Sequence, residues 1–247
     1  MANDADSQPA GRRLSPWRLL PVAVIVAGLV AFFALGLDVY LSFAALSEHR
    51  QVLLSWYEDN TLQMVGGFVA LYVLVVAFSV PGAVWMTIGG GFVFGLVLGT
   101  ALVVASATVG AVVVFLVARY ALGDYLRSKA GAAMSRMEAG FRENALSYLL
   151  VLRLVPLFPF WLVNLVPAFV GVPLRTFVAG TFFGIIPGSF VFVSVGNGLG
   201  AVFDAGGTPD LGIIFEPEIL APIIGLAVLA LIPAAYKRFK GGDGGKA

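Results

Sequence analysis

The stretch LRLVPLFPFWLVNLVPAFVGVP, residues 152–173, decides how the rest of the chain is interpreted. It is apolar enough for a membrane interior, yet it contains Arg153, Asn164 and four prolines. Inside a helix, each proline removes an amide donor and frees the carbonyl four residues earlier. Irregular backbone at membrane depth is tolerated only where protein or a water-filled cavity surrounds it. The sequence therefore predicts a re-entrant hairpin at about residues 148–171, tucked into a helical bundle.

The composition of the whole chain is typical of a membrane protein. Of its 247 residues, 60% are hydrophobic and only 12% are charged, whereas soluble domains are nearer half apolar and a quarter charged. The apolar residues fall in blocks of about 20, the length that crosses the hydrocarbon core. We therefore predict an all-α, polytopic integral membrane protein of the cell membrane, which would be the inner membrane in a bacterium.

The same composition argues against several classes of function. A net charge of +1 gives no reason to expect nucleic acid as a partner, and one histidine with no cysteine leaves few ligands for a metal. His49 lies between Glu48 and Arg50, so a solvated interfacial side chain is favoured over a ligand or proton relay. No catalytic constellation is present. We expect no cofactor, no metal and no enzymatic activity.

The chain divides into tails, spans and a central core. The predicted segments are a disordered tail (1–16), an uncleaved first span (17–37), an amphipathic interfacial helix (38–60), a core (61–200), a last span (218–236) and a basic flexible tail (237–247). Within the core we predict a span (61–80), a broken segment (80–99), a clean helix (101–122), a basic surface helix (124–147), the broken segment 148–171, and a helix (176–199) interrupted at Pro187.

Two broken apolar segments thus lie at comparable places in two halves of the core. The first contains Pro81, Gly95 and a glycine cluster, Gly89, Gly90 and Gly91. Paired interrupted segments are a pointer to a binding site between internal repeats of a transporter. The glycine cluster lacks the Lys-Ser/Thr of a phosphate loop, so close helix contact or a hairpin tip explains it better. These features predict two re-entrant hairpins tucked into a bundle, arranged as inverted repeats.

Three polar side chains in or near the apolar segments are candidates for the site. Arg153 would face a cavity and an anionic partner, or it would snorkel to head groups at the hydrocarbon boundary. Asn164, expected at the tip of the second hairpin, could close the turn or contact substrate. Arg119 is either a charged end cap of its helix or part of the site. Arg175 is interpreted as a topological or lipid-facing charge.

Several of these runs together resemble a known family. The runs are VPGAVWMTIGGGFVFGLVLGT (80–100), ARYALGD (118–124) and RLVPLFPFWLVNLVPAFVGVPLRTFVAGTFFGIIPG (153–188). They are similar to the SNARE-associated Golgi protein family of the DedA superfamily, also called VTT-domain proteins, over about residues 41–199. The resemblance implies a bundle with two facing re-entrant hairpins. It also implies scrambling of phospholipids or movement of polyprenyl-phosphate carriers across a bilayer, in some members coupled to protons.

The family motif transfers to this chain residue by residue. It places the family arginine at Arg153 and the hairpin positions at Pro156, Pro159, Asn164 and Gly171. Two departures weaken the proton-coupled, carrier-specific version of the function. The first hairpin has no acidic residue where DedA relatives carry carboxylates, and Pro159 stands where they have a second arginine.

The sequence therefore leads to a hypothesis with named alternatives. The chain would move an anionic phospholipid or a polyprenyl-phosphate-type lipid, with membrane lipids as its partners. A small-ion or small-solute transporter and a non-transporting membrane organiser stay open, as does a homo-oligomer. Topology also stays open, because the basic segments suggest that residues 12–18, 127–142 and 237–240 face the cytoplasm, whereas the predicted number of crossings puts the middle one outside.

Overall fold

The computed structural model describes residues 16–129, 144–155, 158, 160–205, 212 and 215–242. These residues form α-helices and one 3₁₀ helix, with no strand among them, so the expectation of an all-α chain is confirmed. The α-helices are α1 (Pro16–Ala34), α2 (Phe43–Glu48), α3 (Arg50–Asp59), α4 (Thr61–Ala77), α5 (Ala83–Lys129), α6 (Asn144–Leu154), α7 (Phe160–Phe169), α8 (Leu174–Asp204) and α9 (Pro217–Gly242).

The long helix α5 folds back on itself at Gly95. This residue has φ 74° and ψ −175°, a backbone conformation essentially restricted to glycine. A Cβ atom on Gly99 would lie 2.8 Å from the carbonyl oxygen of Gly90, although nine residues of straight helix would hold the two about 13 Å apart. Residues 83–94, the first arm, therefore run antiparallel to the second arm, residues 96–129. The turn of the first broken segment is at Gly95, not in the glycine cluster.

The second broken segment is built from α6, α7 and the start of α8. Leu149 packs on Gly180 and Arg153 packs on Gly184, so α6 and α8 run side by side in the same direction. Helix α7 lies between them in sequence and ends before Gly171, whose φ of 75° turns the chain into α8. Residues 156, 157 and 159 of the α6–α7 connection lie outside the described residues.

The centre of the bundle is the contact between α5 and α8. Cβ atoms on Gly91 and Gly196 would collide with the backbone of Val193 and Ile88, respectively. Glycine is therefore what lets these two helices cross with their backbones in contact. The surrounding core is aliphatic and aromatic, and includes Phe115, Phe177, Leu149, Val103 and Val193, each completely buried.

The predicted interfacial helix 38–60 is divided into three short helices. A 3₁₀ helix (Leu37–Tyr40) comes first, and the hydroxyl of Ser42 then caps α2 by accepting from the amide of Ala45. Helix α3 follows and meets α4 at an angle of 119°. Arg50, at the start of α3, donates to Asp204 at the end of α8 with an N···O distance of 2.8 Å. The prediction of one continuous helix is wrong here; its position at the membrane interface stays a prediction.

Among the described residues, two helices are long and apolar enough to cross a membrane. They are Ala83–Ala121, which includes the turn at Gly95, and Leu174–Asp204, and a third span results if the bent pair α3 and α4 counts as one. The apolar parts of α1 and α9, Leu20–Ala34 and Pro217–Ile232, are shorter. The expectation of a polytopic helical membrane protein is therefore supported by length and composition.

Two further segment predictions differ from the structure. Helix α8 continues through Pro187 without interruption, because only one intrahelical hydrogen bond is lost there and neighbouring helices support the remainder. Helix α5 runs past the predicted end at residue 122 to Lys129. Most of the predicted basic helix, residues 130–143, lies outside the described residues, as do residues 1–15 and 243–247 of the predicted tails.

Candidate functional site

Arg153 is the centre of a polar cluster that joins three helices. Its Nη2 atom donates to Asn164 Oδ1 at 2.7 Å and to Thr181 Oγ1 at 2.9 Å. Asn164 and Thr181 are both completely buried, and the Nε and Nη1 atoms of Arg153 are buried as well. The cluster therefore fixes the guanidinium inside the bundle, with one helix contributed by each residue: α6, α7 and α8.

Small residues on α8 make this arrangement possible. A Cβ on Gly184 would lie 2.6 Å from the Cβ of Arg153, and one on Gly180 would lie 2.9 Å from the Cβ of Leu149. The two glycines are four residues apart on one face of α8, the small-xxx-small spacing that lets membrane helices approach closely. Thr181 follows Gly180 directly, so the hydroxyl that holds Arg153 is brought in by the same close contact.

An aromatic stack borders the cluster. The Cζ atom of Arg153 lies 5.5 Å from the centroid of the Phe177 ring, within the range of a cation–π contact. Phe177 in turn stacks on Phe115 of α5, with centroids 4.3 Å apart and ring planes at 24°. Desolvation strengthens a cation–π contact, and Phe177 is completely buried. The stack therefore stabilises the charge from the side of α5.

Arg119 lies at the other ring of that stack. Its Cζ is 5.9 Å from the Phe115 centroid, and its Nη1 donates to the carbonyl of Val172 at 3.3 Å. The residue itself is exposed. Arg119 thus caps the turn between α7 and α8, and each arginine contacts its own ring. Arg119 does not cap the end of its own helix, because α5 continues to Lys129.

The remaining predicted residues of the second hairpin have varied positions. Asn164 lies inside α7, so its expected place at a hairpin tip is wrong. Its amide oxygen faces Arg153 from within the helix, and this contact accounts for a polar residue in an apolar segment. Gly171 forms the turn after α7 with positive φ. Pro156 and Pro159 lie outside the described residues.

The residues predicted for the opposing hairpin lie away from Arg153. Pro81 is exposed in the connection between α4 and α5, and Gly90 and Gly91 make the close helix contacts expected of the cluster. A Cβ atom on Gly89 would have nothing within 4 Å. The first arm touches α8 at Val193, about 18 Å along the helix from Thr181 at 1.5 Å per residue. The structure therefore does not bring the glycine cluster to Arg153.

Comparison with known proteins identifies the family. The model of the VTT domain matches residues 80–198, which include the whole Arg153 cluster. Human transmembrane protein 41B is 31% identical over 221 residues, covering 81% of this chain and 74% of the human protein. The chain belongs to the transmembrane protein 41 family of VTT-domain proteins. The transmembrane protein 41 homologue of Caenorhabditis elegans is 25% identical over 243 residues, covering 90% of this chain and 94% of the homologue. No solved structure matches.

In this VTT-domain protein the cluster offers donors to an anion. Arg153 has a planar guanidinium that matches the geometry of a phosphate, and the buried Nδ2 amide of Asn164 has no hydrogen-bond partner among the described residues. Both groups are donors located in the same buried place. Such a pair suits a phosphate or carboxylate oxygen, and the described residues contain no group of His, Cys, Asp or Glu that could hold a metal.

Sequence reasoning missed four members of the site: Thr181, Gly184, Phe177 and Phe115. One signal in the VTT domain could have indicated the first two. The run GTFFG, residues 180–184, has the small-xxx-small spacing of a close helix contact, with a hydroxyl inside it. The two phenylalanines carry no such signal, because a buried aromatic is most often core and only the fold shows which charge it meets.

Proposed function

We propose that this VTT-domain protein moves an anionic phospholipid, or a polyprenyl-phosphate-type lipid, across the bilayer. The observation that carries the proposal is the Arg153 guanidinium, held by Asn164 and Thr181 in the interior of a membrane domain. An ionisable side chain inside a membrane bundle is costly and marks the path of a charged substrate by default. The lipid phosphate would be the group that Arg153 recognises, and the membrane in question would be the cell membrane.

The arrangement of the two broken segments supports this function. The first arm of α5 turns back at Gly95, and α6 with α7 forms the corresponding piece of the second half. Phe115, on the second arm of α5, packs on Phe177 near the start of α8. Gly91, which lies beside the start of the second arm, packs on Val193, further along α8. The second arm of α5 and α8 therefore run in opposite directions. We propose that the two halves are inverted repeats with re-entrant hairpins, the architecture that places a transporter's site between the repeats.

The chemistry of the site favours a phosphate that binds and leaves. Arg153 is held by an amide oxygen and a hydroxyl, which are weaker acceptors than a phosphate because they carry no net charge and cannot accept from both arms of the guanidinium. An arriving phosphate can therefore take over a bond from Asn164 or Thr181 with little loss. The amide and hydroxyl resume their bonds when the lipid leaves, so the charge is never stranded in an apolar interior.

Lipid movement in reconstituted vesicles tests the proposal. The purified chain is inserted into vesicles with a fluorescent phosphatidylserine analogue, and dithionite then bleaches the label that reaches the outer leaflet. Arg153→Lys keeps the charge but loses the planar fork, so movement should fall, and it should fall further with Arg153→Ala. Arg175→Lys is the matched control, because Arg175 is exposed at the start of α8 and a snorkelling charge needs no fixed geometry.

The result that overturns the proposal is wild-type movement by Arg153→Ala at equal insertion. If no variant and not even the wild type moves lipid, ion flux through the same vesicles separates a small-ion transporter from a membrane organiser acting through partners. Cross-linking the wild type in the vesicles reports whether it forms a homo-oligomer.

The re-entrant hairpin has its own test. The chain has no native cysteine, so single cysteines can be placed at Asn144, where α6 begins, and at Arg175, where α8 begins. A membrane-impermeant maleimide should label both from the same side of oriented vesicles, because α6 and α8 begin at the same end of the bundle. Labelling from opposite sides would exclude re-entry while leaving the lipid assay unaffected.

A further inference from the structure

A second lipid contact is offered by an apolar cavity about 450 Å³ in volume. It lies under the short helices α2 and α3, between α4 and the first arm of α5. Leu53 and Trp56 line it from α3, Gly67 and Leu71 from α4, and Met86 and Gly89 from the first arm. The cavity is separate from the Arg153 cluster, since none of the residues of that cluster lines it.

The lining decides what kind of molecule the cavity accepts. It is mostly apolar, and the hydroxyl of Ser42 at its edge is already engaged by the carbonyl of Val39 and the amide of Ala45. A water molecule needs two to four polar partners to be stable in a cavity. An empty apolar cavity destabilises its surroundings in proportion to its volume, so the lining favours a hydrocarbon chain over water as the occupant.

The position of the opening decides where the hydrocarbon comes from. Leu71 lines the cavity and is itself 53% exposed, and Leu74, one turn later on α4, is 51% exposed. The cavity is therefore continuous with the apolar face that α4 presents to the membrane. Trp56, 46% exposed, lines its other edge, next to the polar positions of α3. Tryptophan is typical of the level at which lipid head groups meet the chains.

We propose that this cavity binds one acyl chain of a membrane phospholipid, whose head group stays at the level of α3. The inference deepens the lipid-moving function and rests on it for the choice of ligand. It adds a site at which an acyl chain of the lipid packs against the first arm of α5. The glycines at 67 and 89 leave the room for it, since nothing lies within 4 Å of a Cβ on either.

Photolabelling in vesicles tests the inference. The probe is a phosphatidylcholine with a diazirine near the end of one acyl chain, mixed into phosphatidylcholine vesicles that contain the full chain. Mass spectrometry then maps the labelled residues. Label is expected on Met86 and Leu53, which face the cavity, at a level above that on Leu229, which is exposed on α9 and reports contact with bulk lipid.

Two glycine variants provide a matched comparison. Gly67→Leu fills the cavity, whereas Gly66→Leu, also with nothing within 4 Å, adds the same side chain to the same helix outside the lining. Displacing even two methylenes from an apolar site weakens binding by about tenfold. Labelling of the cavity should therefore fall about tenfold in Gly67→Leu and stay unchanged in Gly66→Leu, with Leu229 labelled equally in both.

Several outcomes overturn the inference. The first is that the cavity residues of the wild type carry no more label than Leu229. The second is that the cavity is labelled equally in the two glycine variants. The third is that a diazirine fatty acid or polyprenyl phosphate labels the cavity while the phospholipid probe does not. If Gly67→Leu fails to insert into vesicles, the pattern of labelled residues in the wild-type protein decides the test by itself. Dithionite assays on the same vesicles separate the two proposals: a labelled cavity without lipid movement rejects the transport function only, and movement without cavity label rejects the acyl-chain site only.

Discussion

Replacing Gly184 by alanine should disturb the site more than any surface change of the same size. The added Cβ would lie 2.6 Å from the Cβ and 3.1 Å from the Cγ of Arg153, whereas apolar carbons in contact are about 4 Å apart. Helix α6 must therefore retreat from α8 by about 1 Å. The 2.9 Å bond from Arg153 to Thr181 would then exceed the length at which a hydrogen bond is effective.

The size of the effect follows from two terms. Overpacking a close contact costs about 1–3 kcal/mol, and a hydrogen bond to a charged group contributes about 1.5–3 kcal/mol. Partial relaxation makes the terms overlap, so the free energy of unfolding should fall by about 2–4 kcal/mol. Gly188→Ala, one turn later in α8 with nothing within 4 Å, should be neutral or should stabilise by up to about 1 kcal/mol through helix propensity.

The assay is reversible unfolding in mixed micelles with increasing sodium dodecyl sulphate, followed by circular dichroism. Lipid movement is measured on the same two variants in vesicles. Gly184→Ala should lose stability, and under the proposed function it should lose lipid movement too, because it displaces Arg153, the group proposed to bind the phosphate. Equal unfolding curves for the Gly184 and Gly188 variants would refute the reasoning, since the close contact between α6 and α8 would then carry no energy.

Three further predictions concern other contacts. Asn164→Ala should lower the free energy of unfolding by about 2 kcal/mol, because it removes a buried acceptor. Combining Arg153→Met with Asn164→Leu should recover most of that loss of stability, and no recovery in the micelle titration would contradict the prediction. Gly196→Ala should destabilise α8 against the first arm by about 1–3 kcal/mol, while Gly198→Ala should not, and equal curves would speak against the contact. The exposed ion pair between Arg50 and Asp204 should give a coupling energy of at most about 1 kcal/mol in a double-mutant cycle, and salt should reduce it. A larger coupling energy would show that the pair fixes the position of α3 against α8.

The sequence predicted those parts of the architecture that follow from composition and from helix-breaking prolines and glycines. Apolar blocks indicated a helical membrane protein, and the prolines and glycines indicated two broken segments, because both signals are local. The location of the first turn was not predictable in the same way. Glycines at 89, 90, 91 and 95 all permit positive φ, and packing of Gly90 against Gly99 selects Gly95.

The site was predictable only in part for the same reason. Arg153 stands out because a charge in an apolar run has few explanations, and Asn164 stands out as a polar neighbour. Their connection through Thr181 depends on α8 lying beside α6, which is a contact across 28 residues. Pro187 was predicted to interrupt its helix, but α8 continues through it. Packing of the surrounding bundle outweighs the low helix propensity of this one residue.

The energy balance of the Arg153 cluster explains why such a residue can be kept inside the membrane. Inserting an arginine at the centre of a membrane helix costs about 2.5–3.5 kcal/mol. The two hydrogen bonds to Asn164 and Thr181 contribute about 1.5–3 kcal/mol each, and the contact with Phe177 adds about 0.5–2 kcal/mol. These gains sum to about 3.5–8 kcal/mol, so they offset the cost of insertion. An apolar side chain would avoid that cost with none of these partners, and replacing a buried ionic group by apolar residues is often neutral or stabilising. A charge maintained at this balance is therefore better explained by what it binds than by what it stabilises.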